Sequence, residues 1–293
     1  MVAADALAGY LKILAAHGQP VAADHSAELR SGQFHDVVLA GDVAYRFPRD
    51  EESRRLLPGR ARLLEALAQL DLPAQIPAPV GAGSLYGPVG SCYLPTRRLA
   101  GAHPAPGLVD DQADADALAR QLSDLLDHLE QAGTEPGVRQ AVPAAQAGDW
   151  RAFAGQVRAV LFPRMSVAGR RRAEAELQAV ARVSPAGGAL VHSDLGGANL
   201  LLAAAARPPR IAGILDWDNA CIGNQASDLA SLAVTFGWPL AARIEHLRHG
   251  PDVSVLAAAR LIAATFALQQ ALPAALSGDQ DSLDDGLARY RAD

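Results

Sequence analysis

The segment His192-Ser193-Asp194-Leu195-Gly196-Gly197-Ala198-Asn199 sets a carboxylate and a carboxamide five residues apart, and Ile214-Leu215-Asp216-Trp217 adds a second carboxylate seventeen residues beyond Asn199. These are the groups that phosphoryl transfer asks of a protein. One carboxylate orients the attacking hydroxyl and accepts its proton, while other oxygens hold the magnesium that neutralises the phosphate charge. Asp194 suits the first task as a catalytic base, and Asn199 and Asp216 suit the second as metal ligands. Asp216 follows an apolar run, Ile211-Ala212-Gly213-Ile214-Leu215, which predicts a buried strand that delivers the carboxylate from its end.

The neighbouring polar residues read as support. A hydrogen-bonded turn would explain Asp194 and Asn199 by themselves, since both residue types bond nearby backbone, but it leaves Asp216 unexplained. His192 lies two residues from a better-placed acid, so it reads as a scaffold residue that bonds backbone to hold the loop. Asp228, in Ser227-Asp228-Leu229-Ala230, reads as structural, either capping a helix or bonding the loop. Asp218 stands open between support of the metal and contact with a basic substrate.

These residues need two kinds of scaffold. Leu7 to Ala16 has helical spacing, and the runs Phe34 to Leu39 and Val43 to Phe47 around Ala40-Gly41-Asp42 predict a hairpin. Glu51 to Leu70 predicts a helix capped by Asp50, and Ser91 to Leu94 a further short strand. From about Asp110 onward helices dominate: Gln112 to Ala132, Trp150 to Leu161, Arg170 to Arg182, Ala226 to Phe236, Val253 to Leu272 and Ser282 to Arg291, with Gly133 to Gly148 as a loop. The expected fold class is α+β. A small N-terminal antiparallel sheet lobe with a helix, residues 1–95, would bind nucleotide, and a hinge would lead to a larger, mainly helical catalytic and substrate-binding lobe, residues 96–293. Ligands favour such junctions.

Within the first lobe, Ser31-Gly32-Gln33-Phe34 is the turn where backbone N–H groups could approach nucleotide phosphates. Arg46 lies on the next strand, where kinases carry a lysine that holds the α- and β-phosphates. Leu94 and Thr96 would line the adenine at the hinge. The glutamate that kinases place on the following helix is missing, since Gly59-Arg60-Ala61-Arg62 occupies that turn.

Composition narrows the partners. The 293 residues carry 26 basic and 32 acidic side chains, a formal charge of -6 without a basic tract, which argues against nucleic acid and suits a cationic small molecule. No stretch of about eighteen apolar residues is expected to span a bilayer. Two cysteines, Cys92 and Cys221, lack metal-ligand spacing and point to a reducing cytoplasm. Asp110, Asp111, Asp114 and Asp116 form an acidic run, and Asp110, Asp114 and Asp218 are candidates for holding a cationic substrate.

The loop shares its Asp-to-Asn spacing with the protein-kinase H-R-D-L-x-x-x-N loop. Together with Leu215-Asp216-Trp217 it resembles the aminoglycoside phosphotransferase superfamily, where H-G-D-x-x-x-x-N is followed by I-D-W or I-D-F. Here Ser193 stands for the glycine and Leu215 for the isoleucine. A narrower likeness is to the tuberactinomycin (viomycin and capreomycin) phosphotransferases. It is carried by Gly32-Gln33-Phe34-His35, Leu57-Pro58-Gly59-Arg60-Ala61, Leu161-Phe162-Pro163, Asp194-Leu195-Gly196-Gly197, Asp216-Trp217-Asp218 and Thr265 to Leu272. The resemblance implies a bilobal protein-kinase-like fold and an antibiotic-inactivating kinase that uses ATP (or GTP) and Mg2+, with a basic cyclic peptide antibiotic as acceptor. A same-fold kinase of an aminoglycoside, macrolide or metabolite, or a non-catalytic antibiotic-sequestering protein, are the alternatives.

Overall fold

The computed structural model describes residues 2–19, 27–32, 34–146, 148–204, 206–250 and 254–291. Gln33 and Val253 lie outside the described residues. In chain order the elements are α1 (Val2–Ala16), β1 (Glu28–Ser31), β2 (His35–Ala40), β3 (Val43–Pro48), α2 (Glu51–Leu67), β4 (Leu94–Arg97), α3 (Gln112–Ala132), α4 (Pro136–Ala141), α5 (Asp149–Val160) and α6 (Val167–Val180). They continue as β5 (Ala189–Val191), β6 (Leu200–Leu202), β7 (Ile211–Ile214), β8 (Cys221–Gly223), α7 (Ala226–Phe236), α8 (Trp238–His249), α9 (Ser254–Ala263), α10 (Phe266–Ser277) and α11 (Gln280–Arg291). Two compact units result. The first comprises Met1–Pro104, Pro136–Val142 and Leu200–Asp218, and the second Ala105–Glu135, Pro143–Asn199 and Asn219–Asp293.

The first unit is built on an antiparallel sheet in the order β1-β2-β3-β4. Alternation along β3 sends Tyr45 and Phe47 into a core with Leu14, Val38, Ala40 and Tyr93, closed by Leu7, Tyr10 and Leu11 of α1. The same alternation puts Arg46 on the opposite face, directly across from Val37, with His35 two residues along β2 on that face. α2 starts at Asp50, whose side chain accepts from the Ser53 amide at 2.7 Å, and it buries Leu57, Ala61, Leu64 and Leu67. The antiparallel pair β6-β7 completes this unit, with a backbone bridge from Gln75 to Gly213. A boundary at residue 95 would fall inside β4, which pairs with β3 from Val43↔Arg97 to Arg46↔Leu94.

The second unit is mainly helical around the short antiparallel pair β5-β8. One core joins α5, α6, α10 and α11 through Val157, Leu161, Leu177, Leu268, Leu272, Leu287 and Tyr290. Gly169 permits the closest approach there, since a Cβ at that position would stand 1.8 Å from the Tyr290 carbonyl oxygen.

Several elements depart from the sequence expectation. The expected loop at Gly133 to Gly148 contains α4, and α8 and β1 were not foreseen. The expected continuous helix to Leu272 is broken between α9 and α10, where buried Thr265 turns its hydroxyl onto the Ile262 carbonyl at 2.7 Å. The segment Val255–Ser277 that spans this break is, by length and composition only, apolar enough to cross a membrane, although Arg260, Thr265, Gln269 and Gln270 interrupt its apolar residues.

Candidate active site

In the second unit the loop after β5 carries Asp194. β5 is buried along its whole length, and so is Leu195, which ties the loop to the core. The loop is held from α7. Asp228, fully buried in the first turn of that helix, accepts from the His192 amide at 3.0 Å and the Ser193 amide at 2.8 Å. It does not cap the helix, whose N-cap residue is Gln225. Two turns on, Thr235 accepts from the Gly197 amide at 3.0 Å and donates to the Ser231 carbonyl. A Cβ at Gly197 would meet the Thr235 methyl at 2.9 Å, which accounts for glycine at this place.

Within the loop, buried His192 uses Nδ1 to accept from the Asp194 amide at 3.3 Å. Asn199 donates from Nδ2 to both the Asp194 carbonyl (2.8 Å) and its carboxylate (2.9 Å). The two residues that the spacing singled out are therefore joined, and the Asn199 amide oxygen remains an acceptor. Ser193 adopts φ 69°, the left-handed region, where the related motif has glycine. Burial pushes the Asp228 carboxyl up to about 6, against the pull of His192 and the two amides.

In the first unit Asp216 follows β7 as predicted, with φ 56° and a half-exposed side chain. Arg46 does not stand alone. Its Nη2 donates to Asp216 at 3.1 Å and to Asp218 at 2.8 Å. Asp218 is only 6% exposed and also meets His35 Nδ1 at 3.2 Å and Arg60 Nε at 3.0 Å, the last close enough for ion pairing but not aligned as a hydrogen bond. Arg60 Nη1 lies 3.1 Å from His35 Nε2. An arginine can only donate, so Nε2 accepts and the ring proton sits on Nδ1, facing Asp218. Burial works to raise the Asp218 carboxyl, yet Arg46, His35 and Arg60 hold it well below the usual carboxylate range. Burial lowers Arg60, whereas at Arg46 the same effect is outweighed by the two carboxylates.

The remaining candidates occupy less pointed positions. Gly32 already donates its amide to the His35 carbonyl at 2.8 Å and accepts from Arg49, while Ser31 ends β1 and Phe34 is partly exposed. Leu94 and Thr96 are buried on β4, and the Thr96 hydroxyl donates to the Ala44 carbonyl. The acidic run forms the start of α3: Asp111 caps it, Asp114 is buried in its first turn, Asp116 pairs with Arg243, and the Asp110 amide donates to Gly107. Asp218 is engaged by Arg46, Arg60 and His35 and does not stand alone at the surface. Sequence reasoning missed His35 and Arg60 as its partners, although both lie in blocks, Gly32 to His35 and Leu57 to Ala61, that carried the resemblance.

An antiparallel sheet with α2 beside it, a helical unit around an Asp-Asn loop, and an acid closing a β-strand define a kinase-like α+β phosphotransferase. The chain belongs to the phosphotransferase enzyme family, whose model matches residues 25–262. Viomycin phosphotransferase of Streptomyces vinaceus is 41% identical over 263 residues, covering 90% of this chain and 92% of that protein. Among solved structures, the GDP and kanamycin complex of the aminoglycoside phosphotransferase APH(2")-IIIa superposes with a TM-score of 0.83 at 21% identity, over 96% of each chain. Macrolide 2'-phosphotransferase type I gives 0.69 at 20% identity, over 96% of this chain and 95% of that one.

Proposed function

We propose that the protein transfers the γ-phosphate of ATP, or of GTP, to a hydroxyl of a tuberactinomycin peptide antibiotic such as viomycin or capreomycin. The observation that carries the reading is the Asp194-Asn199 pair, fixed by Asp228 and Thr235. The identity to viomycin phosphotransferase supports the acceptor class. Asp194 orients the hydroxyl and takes its proton. Asn199 keeps that carboxylate in place through Nδ2, so positioning of the nucleophile is prepaid in the fold.

The donor set suits magnesium, a hard cation that takes one or two protein oxygens and completes its shell from phosphates and water. By their motif positions, Asn199 and Asp216 are the residues we assign to it, each a hard oxygen donor within its own unit. When bound, the ion would neutralise phosphate charge. Arg46 supplies a fixed guanidinium for phosphate oxygens. A phosphate of about -1.5 to -2 charge on a basic antibiotic spoils its fit to an anionic RNA target.

Incubating the protein with ATP, magnesium and viomycin or capreomycin should add about 80 Da, one phosphoryl group, to the antibiotic in mass spectrometry. Kanamycin and a macrolide should stay unmodified. Phosphorylation of those two instead would redirect the acceptor, and no product with any acceptor would refute the reading.

A further inference from the structure

We propose that Asp218 is a positioning residue for the nucleotide, clamping Arg46 of β3 and Arg60 of α2 into one cationic pair. The inference rests on the nucleotide-dependent reading above. Protein kinases hold the phosphate-binding lysine of the third strand with a glutamate from the neighbouring helix. In this chain both positions are cations, and two guanidinium groups cannot orient each other. A third group must stand between them, and Asp218 does.

The geometry is specific. Asp218 Oδ2 takes Arg46 Nη2 at 2.8 Å and faces His35 Nδ1 at 3.2 Å, while Oδ1 faces Arg60 Nε at 3.0 Å. His35 closes the set by linking Arg60 to the same acid. The Arg46 and Arg60 side chains are 13% and 12% exposed, so neither charge is left to water for compensation. Arg46 meets both acids through a single nitrogen, Nη2, which leaves the other donors of its planar fork for phosphate oxygens. Asp216 neutralises part of this charge but is half-exposed and is the carboxylate we assign to magnesium. Asp218 alone is buried enough, and central enough, to keep Arg46 aimed when Asp216 is engaged elsewhere. The acid has moved from the helix to the turn that follows β7, and the helix carries a second cation in its place.

The test is nucleotide affinity, measured by calorimetry with ADP and ATP on the full chain, alongside viomycin affinity and thermal melting. Asp218→Asn should weaken nucleotide binding on the order of tenfold and leave viomycin affinity within about twofold. Asp218→Asn combined with Arg60→Gln should recover most of that loss, because only one cation then needs holding. Asp218→Glu, which keeps the charge and is the fallback should the Asn variant fail to fold, should fall between wild type and Asp218→Asn. Unchanged nucleotide affinity with weakened viomycin binding would overturn the inference and make Asp218 a substrate contact. Recovery of melting temperature without recovery of nucleotide affinity in the double variant would overturn it in favour of a purely structural role. If the wild-type protein itself bound neither nucleotide, the phosphotransfer reading would fall too; wild-type binding matched by Asp218→Asn would sink this inference alone.

Discussion

Two buried aspartates organise the chemistry of this protein in opposite ways. Asp218 sits among Arg46, Arg60 and His35 and is held by side-chain charge, whereas Asp228 sits in α7 and is held by the His192 and Ser193 amides. Both side chains are almost free of solvent, yet the first carboxyl is driven below its ordinary range and the second above it. Burial alone therefore does not fix the charge of an acid. Two guanidinium groups and a histidine overcome desolvation where a histidine and two amides do not. The charged clamp presents cations, and the amide-held loop presents the Asp194 carboxylate with Asn199 bonded to it.

The largest effect that would sharpen this contrast is on turnover. Asp194→Ala should lower kcat on the order of a thousandfold, the usual scale for a general base, with nucleotide affinity within about twofold in calorimetry. Retained turnover would break the assignment of the loop as the chemical half.

Next comes the support beneath that loop. Asp228→Ala leaves two buried amides without an acceptor and should cost about 2–4 kcal/mol in urea unfolding. Asp228→Asn retains one acceptor oxygen and should cost less. A loss below about 0.5 kcal/mol for the alanine variant would mean that the loop holds itself.

The pH response follows in size. The Asp228 carboxyl titrates at about 6 when folded against an ordinary 3.8, with His192 and Asp194 as the charged groups facing it, so the folded state keeps its proton longer than the unfolded chain. Its contribution to stability is complete below the lower value and is lost as pH rises through the upper one, on the order of 3 kcal/mol in all. Unfolding at a series of pH values should show this fall between about 4 and 6, and Asp228→Asn should flatten it. An unflattened slope would place the titrating group elsewhere. The smallest effect belongs to Ser193, where Ser193→Gly should relieve a left-handed backbone and stabilise by about 1 kcal/mol, a few degrees in Tm. A loss of stability would mean that the contact of Ser193 with Cys221, at 3.6 Å, outweighs the strain.

Much of this was legible because periodicity and spacing are local. α3 and α7 begin and end where their apolar repeats do, and Asp216 emerges from β7 where its apolar run stops. The spacing singled out Asp194 and Asn199, and the structure adds the hydrogen bonds between them. Other features depend on distant partners. α8 hides among Arg243, Glu245 and Arg248, with only Leu240, Ala241 and Ile244 to mark a buried stripe beside buried Glu245. α4 is six residues in a segment rich in Gly and Pro and gains its order by packing on α2. The Asp218 clamp gathers residues 35, 46, 60 and 218, and no sequence window contains them together. A missing glutamate on α2 was visible, but the acid that replaces it lies more than 150 positions away, between Arg60 and Asp218.

The order in which the chain visits its two units bears on how the gene can be divided. The strand bearing Arg46 and the helix bearing Arg60 are encoded before Pro104, while both carboxylates that neutralise them arrive with the Leu200–Asp218 segment, after most of the second unit has been made. A fragment ending at Pro104 would carry Arg46 and Arg60 without Asp216 and Asp218. A cut-and-splice exchange of the N-terminal third with a relative would set that relative's strand and helix against Asp216 and Asp218 of this chain.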